Sequence, residues 1–238
     1  MSILGDIFDT IRGLLGGESC MICGGYADSD THHICTRCRI SIPLTRYYLD
    51  EDNPIKDRFS SFAPIYRASA LYFYDSDPIW REVIHRCKYR GQWRLAYMMG
   101  RWYGEVLRDT GLYDDVDIIL PIPLHPLKIL KRGYNQSTYI AEGMAREMGV
   151  EVDTRSVRRV KNNPSQTTKS GTSRWENVER IFRVRHPERL QGKHILIVDD
   201  VLTTGATIAS CITSIYAVVP DCKISVVALA TPNEYTLK

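Results

Sequence analysis

No stretch of the 238 residues approaches the ~18–20 consecutive apolar positions that a bilayer-spanning helix requires, so no transmembrane segment is expected. Charge of one sign is equally scarce. Lys and Arg total 31 against 28 for Asp and Glu, a net +3 that names no partner. Internal repeats and low-complexity tracts are missing, which sets aside repeat architectures. Two phosphate-binding signatures are also absent. The sequence contains neither G-x-x-x-x-G-K-[ST] nor G-x-G-x-x-G, so neither a Walker loop nor a dinucleotide-binding turn is expected. The first seventeen residues lack a basic opening, and Asp6, Asp9 and Arg12 interrupt their apolar positions, which argues against a signal or transit peptide. Residues 1–17 read instead as a short amphipathic helix, with Ile3, Leu4, Ile7, Phe8, Ile11, Leu14 and Leu15 on one broad face. Packing on the rest of the chain is the first expectation for that face, and a membrane surface is the alternative.

What is present is enough apolar material, 44% of residues, for one α/β core and a small appended module. Four of the seven cysteines form two tight pairs, Cys20-x-x-Cys23 and Cys35-x-x-Cys38, eleven residues apart. Without an export signal, a disulfide framework is a poor account of them, and a reducing, cytoplasmic setting is expected. Each pair presents two thiolates to one tetrahedral ion, so the four together predict a closed, structural zinc site at residues 18–46. His32 and His33 read as bystanders. Cys87, Cys211 and Cys222 lie in apolar contexts and read as ordinary buried thiols.

Residues 47–63 read as a linker, polar and acidic at first, and residues 64–238 as the main domain. Strands are expected at 68–74, 116–120, 194–198 and 224–230. Helices are expected from Asp77-Pro78 to Gly91, then over 95–108, 136–148 and 205–218. That alternation predicts a mostly parallel sheet covered by helices on both faces.

The segment richest in chemistry is His194-Ile-Leu-Ile-Val-Asp-Asp-Val-Leu-Thr-Thr-Gly-Ala-Thr207. A buried strand runs into two acids, and a Thr/Gly turn then opens a helix. A helix N-terminus offers unpaired N–H groups and the positive end of a dipole, which suit a phosphate. Thr203, Thr204 and Thr207 add hydroxyls, Gly205 lets a ligand come close, and Ala206 completes the candidate cradle. Asp199 and Asp200 stand beside this cradle, at the carboxyl end of a strand where open α/β sheets bind ligands.

A second half-site is expected where the strand before Pro121 enters a stiff proline loop. There His125, Lys128, Lys131 and Arg132 supply donors or positive charge suited to a pyrophosphate clamp. Asn135 reads equally as a helix N-cap or a ligand contact. Between the half-sites, residues 161–174 are long, polar and without periodicity, which reads as a functional or disordered stretch. Lys161, Gln166, Lys169 and Arg174 are its candidate contacts. From Arg155 to Lys193 there are eleven basic residues and three acids, which favours an anionic ligand, phosphate-rich or nucleic acid.

The acid pair and T-T-G-x-T turn resemble the signature of type I phosphoribosyltransferases. Further features narrow this. The paired cysteines, Lys88-Tyr-Arg-Gly91, Pro-Ile-Pro-Leu-His125, Arg132-Gly-Tyr-Asn-Gln136 and the Asp-Asp/Thr-Thr-Gly cradle come in the order of the ComF family, which the chain resembles from residue 18 to about 230. That resemblance implies a cradle for the 5′-phosphate of phosphoribosyl pyrophosphate, with Asp199 and Asp200 on the ribose hydroxyls. It also implies Mg²⁺ arriving with that ligand, and a link to DNA uptake. Three readings stay open: a phosphoribosyltransferase with an unknown acceptor, a single-strand DNA binder, and a sensor that does not turn the sugar over. Tyr47, Tyr48, Tyr134 and Trp175 are candidate base-stacking residues or equally core residues. An amidophosphoribosyltransferase is not expected, since the sequence opens Met1-Ser2 rather than with a cysteine nucleophile and leaves no room for a glutaminase domain.

Overall fold

The computed structural model describes residues 18–27, 33–89, 91–161 and 181–233. The expected amphipathic helix at 1–17 lies outside them, as do His32, Gln166, Lys169, Arg174 and Trp175. A five-stranded parallel sheet forms the centre. Its order is β3 (Ile65–Phe73), β9 (Lys223–Thr231), β8 (His194–Val201), β4 (Ile118–Pro121) and β5 (Glu151–Val152). Alternation within β8 feeds both sides of this sheet. Leu196 and Val198 enter one apolar cluster, and Ile195 and Ile197 enter the other. Strands buried on both faces read as near-continuous apolar runs, as residues 116–120 and 194–198 do.

On the first face lie helices α3 (Pro78–Tyr89), α4 (Trp93–Thr110) and α6 (Gln136–Met148). Helices α4 and α6 cross with their backbones in contact. A Cβ on Gly100 would collide with the Ile140 carbonyl, and one on Gly143 with that of Tyr97, so only glycine permits this approach. The second face is covered by α2 (Pro54–Phe59), α7 (Ala206–Tyr216) and an antiparallel ribbon, β6 (Val157–Arg159) with β7 (Phe182–Val184).

Two sequence expectations need correction. Residues 47–63 are not a plain linker. They hold a 3-10 turn, Tyr47–Leu49, and the helix α2, whose Ile55 and Phe59 are fully buried. Asn53 makes this possible. Its side-chain oxygen accepts from the N–H groups of Ile55 (3.1 Å) and Lys56 (3.2 Å), and its amide donates to the Ala68 carbonyl of β3 (2.8 Å). The stretch after Pro123 is likewise not all loop, because α5 (Pro126–Arg132) forms there with Pro126 at its first turn.

The cysteine-bearing segment packs onto the main domain. It is built from a short hairpin, β1 (Glu18–Ser19) with β2 (Tyr26–Ala27), and the helix α1 (Thr36–Ser41). Ile22, Ile34 and Ile42 share one core with Leu71, Tyr72 and Trp80. Arg86 of α3 ties the two together, donating to the carbonyls of Met21 (2.6 Å) and Ile22 (3.0 Å).

Candidate functional site

Strand β8 is longer than its apolar run suggests. It continues through Asp199 and Asp200 to Val201, so both acids sit on regular strand backbone rather than in a turn. Alternation then sends their side chains to opposite faces. Asp199 Oδ1 accepts from Ser137 Oγ of α6 and from the Asp200 N–H, each at 2.9 Å. Asp200 is buried, with Lys88 Nζ of α3 3.2 Å from its Oδ2. Burial, then the charge of Asp200, raises the Asp199 carboxyl to about 7, against the lowering pull of its donors and of Lys88. Lys88 is held above its ordinary value: burial acts to lower it, and Asp200 and Asp199 more than offset that.

Past Val201 the chain turns through Thr203 and Thr204 into Gly205, whose φ of +76° begins α7 at Ala206. Asp199, Thr203, Thr204, Gly205, Ala206 and Thr207 all line a recess of about 40 Å³ there. The turn has a brace. Arg58 Nη1 of α2 donates to the Thr203 carbonyl, and a Cβ on Gly205 would lie 2.9 Å from the Phe59 ring. Gly205 is therefore required twice, for its left-handed backbone and for the ring packed against it.

The second half-site is partly assembled. Lys128 is held below its ordinary value by burial and by the nearby charges of Arg159, Arg132 and Lys88, and of these Lys88 and Arg159 also feel the charge of the acid pair. His125 is engaged as the N-cap of α5, its Nδ1 accepting from the Leu127 N–H at 3.3 Å. Asn135 is the N-cap of α6 and also donates to the Ile122 carbonyl at 2.9 Å. Arg132 donates to Gln136 Oε1 at 3.1 Å, and Lys131 is exposed. The Lys161 carbonyl accepts from Arg159 Nε at 3.2 Å, which ties the start of the 161–174 stretch to β6. Tyr48 is buried against Tyr103, and the Tyr134 hydroxyl donates to the Cys87 carbonyl, so both serve packing.

Sequence reasoning missed three contributors. Lys88 stood inside a quoted motif, Lys88-Tyr-Arg-Gly91, but was given no role. Arg159 was hidden in a basic stretch, and its 9% exposure is a tertiary property. Ser137 carried no local signal at all.

The four thiols come together as expected. All four sulfurs lie within 4.8 Å of one another, with Cys20–Cys38 at 3.9 Å and Cys23–Cys35 at 3.7 Å. The edge of a tetrahedron with Zn–S of about 2.3 Å is ~3.8 Å, so the spacing fits that ion. Burial and the neighbouring thiols push Cys38 far up. Cys20 is lowered to about 7, because the backbone groups of Cys23, Cys35 and Ile22 outweigh its burial.

Residues 135–238 match the Phosphoribosyl transferase domain family. DNA utilization protein YhgH of Escherichia coli O6:H1 is 30% identical over 194 residues, covering 80% of each chain. The chain belongs to the ComF family. Its Salmonella typhimurium relative of the same name is 34% identical over 131 residues, which is 53% of this chain and 56% of that one. Competence protein F of Haemophilus influenzae is 26% identical over 130 residues, 53% of this chain and 57% of that protein. Against these two, the matched region spans little more than half of the relative's length. Among the described residues of this ComF-family chain, no helix is long and apolar enough to cross a membrane.

Proposed function

We propose that this chain binds phosphoribosyl pyrophosphate across the carboxyl ends of β4 and β8 and transfers its phosphoribosyl group to an acceptor. The observation that carries this reading is the joint geometry of β8 and α7: an acid pair on the last strand residues, then a threonine-rich turn braced by α2. In this reading the N–H groups and hydroxyls of Thr203 to Thr207 hold the 5′-phosphate. Asp199 and Asp200 accept from the ribose hydroxyls, and Lys88, Lys128, Arg132 and Arg159 surround the pyrophosphate. Mg²⁺ carried in by the ligand would be held from the protein side by the carboxylates of Asp199 and Asp200 and would supply charge stabilisation to the leaving group. The acceptor's lone pair forms the new bond to C1 as the C1–O bond breaks. The electron pair of that bond leaves on pyrophosphate, which takes up the acceptor's proton. The chain's work is positioning and exclusion of water, so no side-chain nucleophile is required. Lys161 and Arg174 are assigned, on the family's pattern, to covering the bound sugar.

Zn²⁺ is assigned to Cys20, Cys23, Cys35 and Cys38, where four protein ligands leave no position for catalysis. The names of the relatives support a role in DNA utilization and competence, with single-stranded DNA or uptake machinery as the proposed partner class. Calorimetric titration with phosphoribosyl pyrophosphate and Mg²⁺, with and without single-stranded DNA, tests the reading. Saturable binding is expected, weakened on the order of 100-fold in Asp199→Asn/Asp200→Asn, because two hydrogen bonds to charged acceptors are lost. Equal affinity in that variant would remove the acids from the site.

A further inference from the structure

Beside the cradle lies a cavity of about 600 Å³, within the range that takes small-molecule ligands. One wall is stiff and apolar, made by Pro121, Pro123, Leu124 and Val157. The other carries Arg155, Arg158, Arg159 and Arg185, and no acid lines the cavity. We propose that this cavity is an acceptor subsite that selects a flat, apolar acceptor bearing a carboxylate or phosphate.

Three features carry the assignment beyond a solvated basic surface. Arg158 faces Arg183 directly across the β6–β7 ribbon, and like charges so placed repel. The side chains of Arg155, Arg158 and Arg185 are exposed and have no ion pair with any described residue, so solvent alone meets their charge. Arg159 is only 9% exposed, and its guanidinium lies 5.6 Å from the centre of the Phe182 ring with no described carboxylate hydrogen-bonded to it. A buried guanidinium such as that of Arg159 is compensated when the counter-charge arrives with a ligand, and the exposed arginines beside it add to the pull on an anion. The guanidinium fork matches carboxylate and phosphate, and the proline wall suits a flat ring. The cavity also adjoins the proposed sugar site. Thr138 lines it and follows Ser137, the donor to Asp199, and Arg159 lies in the field of that same carboxylate.

The assignment of an acceptor rests on the sugar-phosphate reading above, so the two are tested separately. The full chain is titrated with matched probes, uracil against uracil-6-carboxylate and adenosine against adenosine 5′-monophosphate. Phosphoribosyl pyrophosphate with Mg²⁺ is titrated in parallel. The charged member of a pair is expected to bind about tenfold or more tightly than its neutral partner. In Arg158→Ala/Arg185→Ala that preference is expected to collapse to within about threefold, with phosphoribosyl pyrophosphate affinity changed by less than about threefold. Equal binding of charged and neutral probes, or an unchanged preference in the variant, overturns the subsite. If charged probes bind selectively and phosphoribosyl pyrophosphate does not, the subsite stands and the sugar-phosphate reading fails. A single-stranded oligonucleotide forms a third arm. If it alone depends on the two arginines, they contact strand phosphates and the small-acceptor proposal is wrong. Should the alanine variant melt early by circular dichroism, Arg158→Lys/Arg185→Lys replaces it, keeping charge while losing the fork, with an intermediate preference expected.

Discussion

Asp199 is where the site's electrostatics bear on the stability of the fold. Its carboxyl rises from an ordinary 3.8 to about 7 in the folded chain, so between those values the folded state holds a proton that the unfolded state has released. Stability therefore falls as pH rises through that window and is lowest above it. Replacing the carboxylate with an amide removes the buried charge while keeping an oxygen for Ser137 and the Asp200 N–H. The ligand-free Asp199→Asn variant is thus expected to melt several degrees above the parent chain at pH 8, at about 2–4 °C per kcal/mol for a chain of this size, and level with it near pH 4. Calorimetric melting across that range checks this, and parallel profiles would mean that Asp199 is charged throughout. The neighbours that set the shift are Asp200, Lys88 and Ser137, and Arg159 feels the charge of the same carboxylate. Of these, only Asp200 was evident in the sequence as part of the site, because it is adjacent. The others arrive from α3, α6 and β6, and side chains separated by 40 to 110 positions carry no mark of sharing one pocket.

At the scale of elements, the least legible one proved closest to the cradle. Helix α2 has six residues, and only two of its side chains are buried, too few for a visible apolar period. Asn53-Pro54 was a genuine helix-start signal, but acids at positions 50–52 disguised it as linker. Helix α6, by contrast, was read to the residue because an Asn cap and a Gly stop bracket a full amphipathic stretch. Strand β8 was read short because charged residues end an apolar run before the hydrogen-bonded ladder with β9 ends. The brace that α2 provides is open to test. Phe59→Ala is expected to cost about 3–5 kcal/mol of stability as a buried aromatic. It should also weaken phosphoribosyl pyrophosphate binding, whereas truncating Ile55, equally buried but away from Gly205, should cost stability alone. Equal effects of the two truncations on affinity would show that α2 serves packing only. The match to two distinct chemistries, thiol cluster and acid-threonine cradle, was readable because each is encoded within about twenty consecutive residues.

For the molecule as a whole, helix α3 joins what the sequence reading divided. Within three residues it presents Arg86 to the carbonyls of Met21 and Ile22 beside the thiol cluster, and Lys88 to Asp200 in the cradle. Cys20→Ser/Cys23→Ser is expected to lose bound zinc by metal analysis and to lower the melting temperature, since the metal's binding energy contributes directly to folding. About one zinc per chain in that variant would mean that the ion sits elsewhere. A shared helix makes a further demand. If removing the ion lets the Met21–Ile22 backbone shift, the position of Lys88 relative to Asp200 shifts with it, and chelation is expected to weaken sugar-phosphate binding. Thermodynamic linkage then runs in both directions: saturating the cradle must tighten the hold on zinc by the same factor. Arg86→Ala is the variant that uncouples them. In a cell where zinc is contested, such a chain would keep its metal best when its sugar ligand is plentiful, so that one rigid helix reports the supply of one small solute to the binding of another.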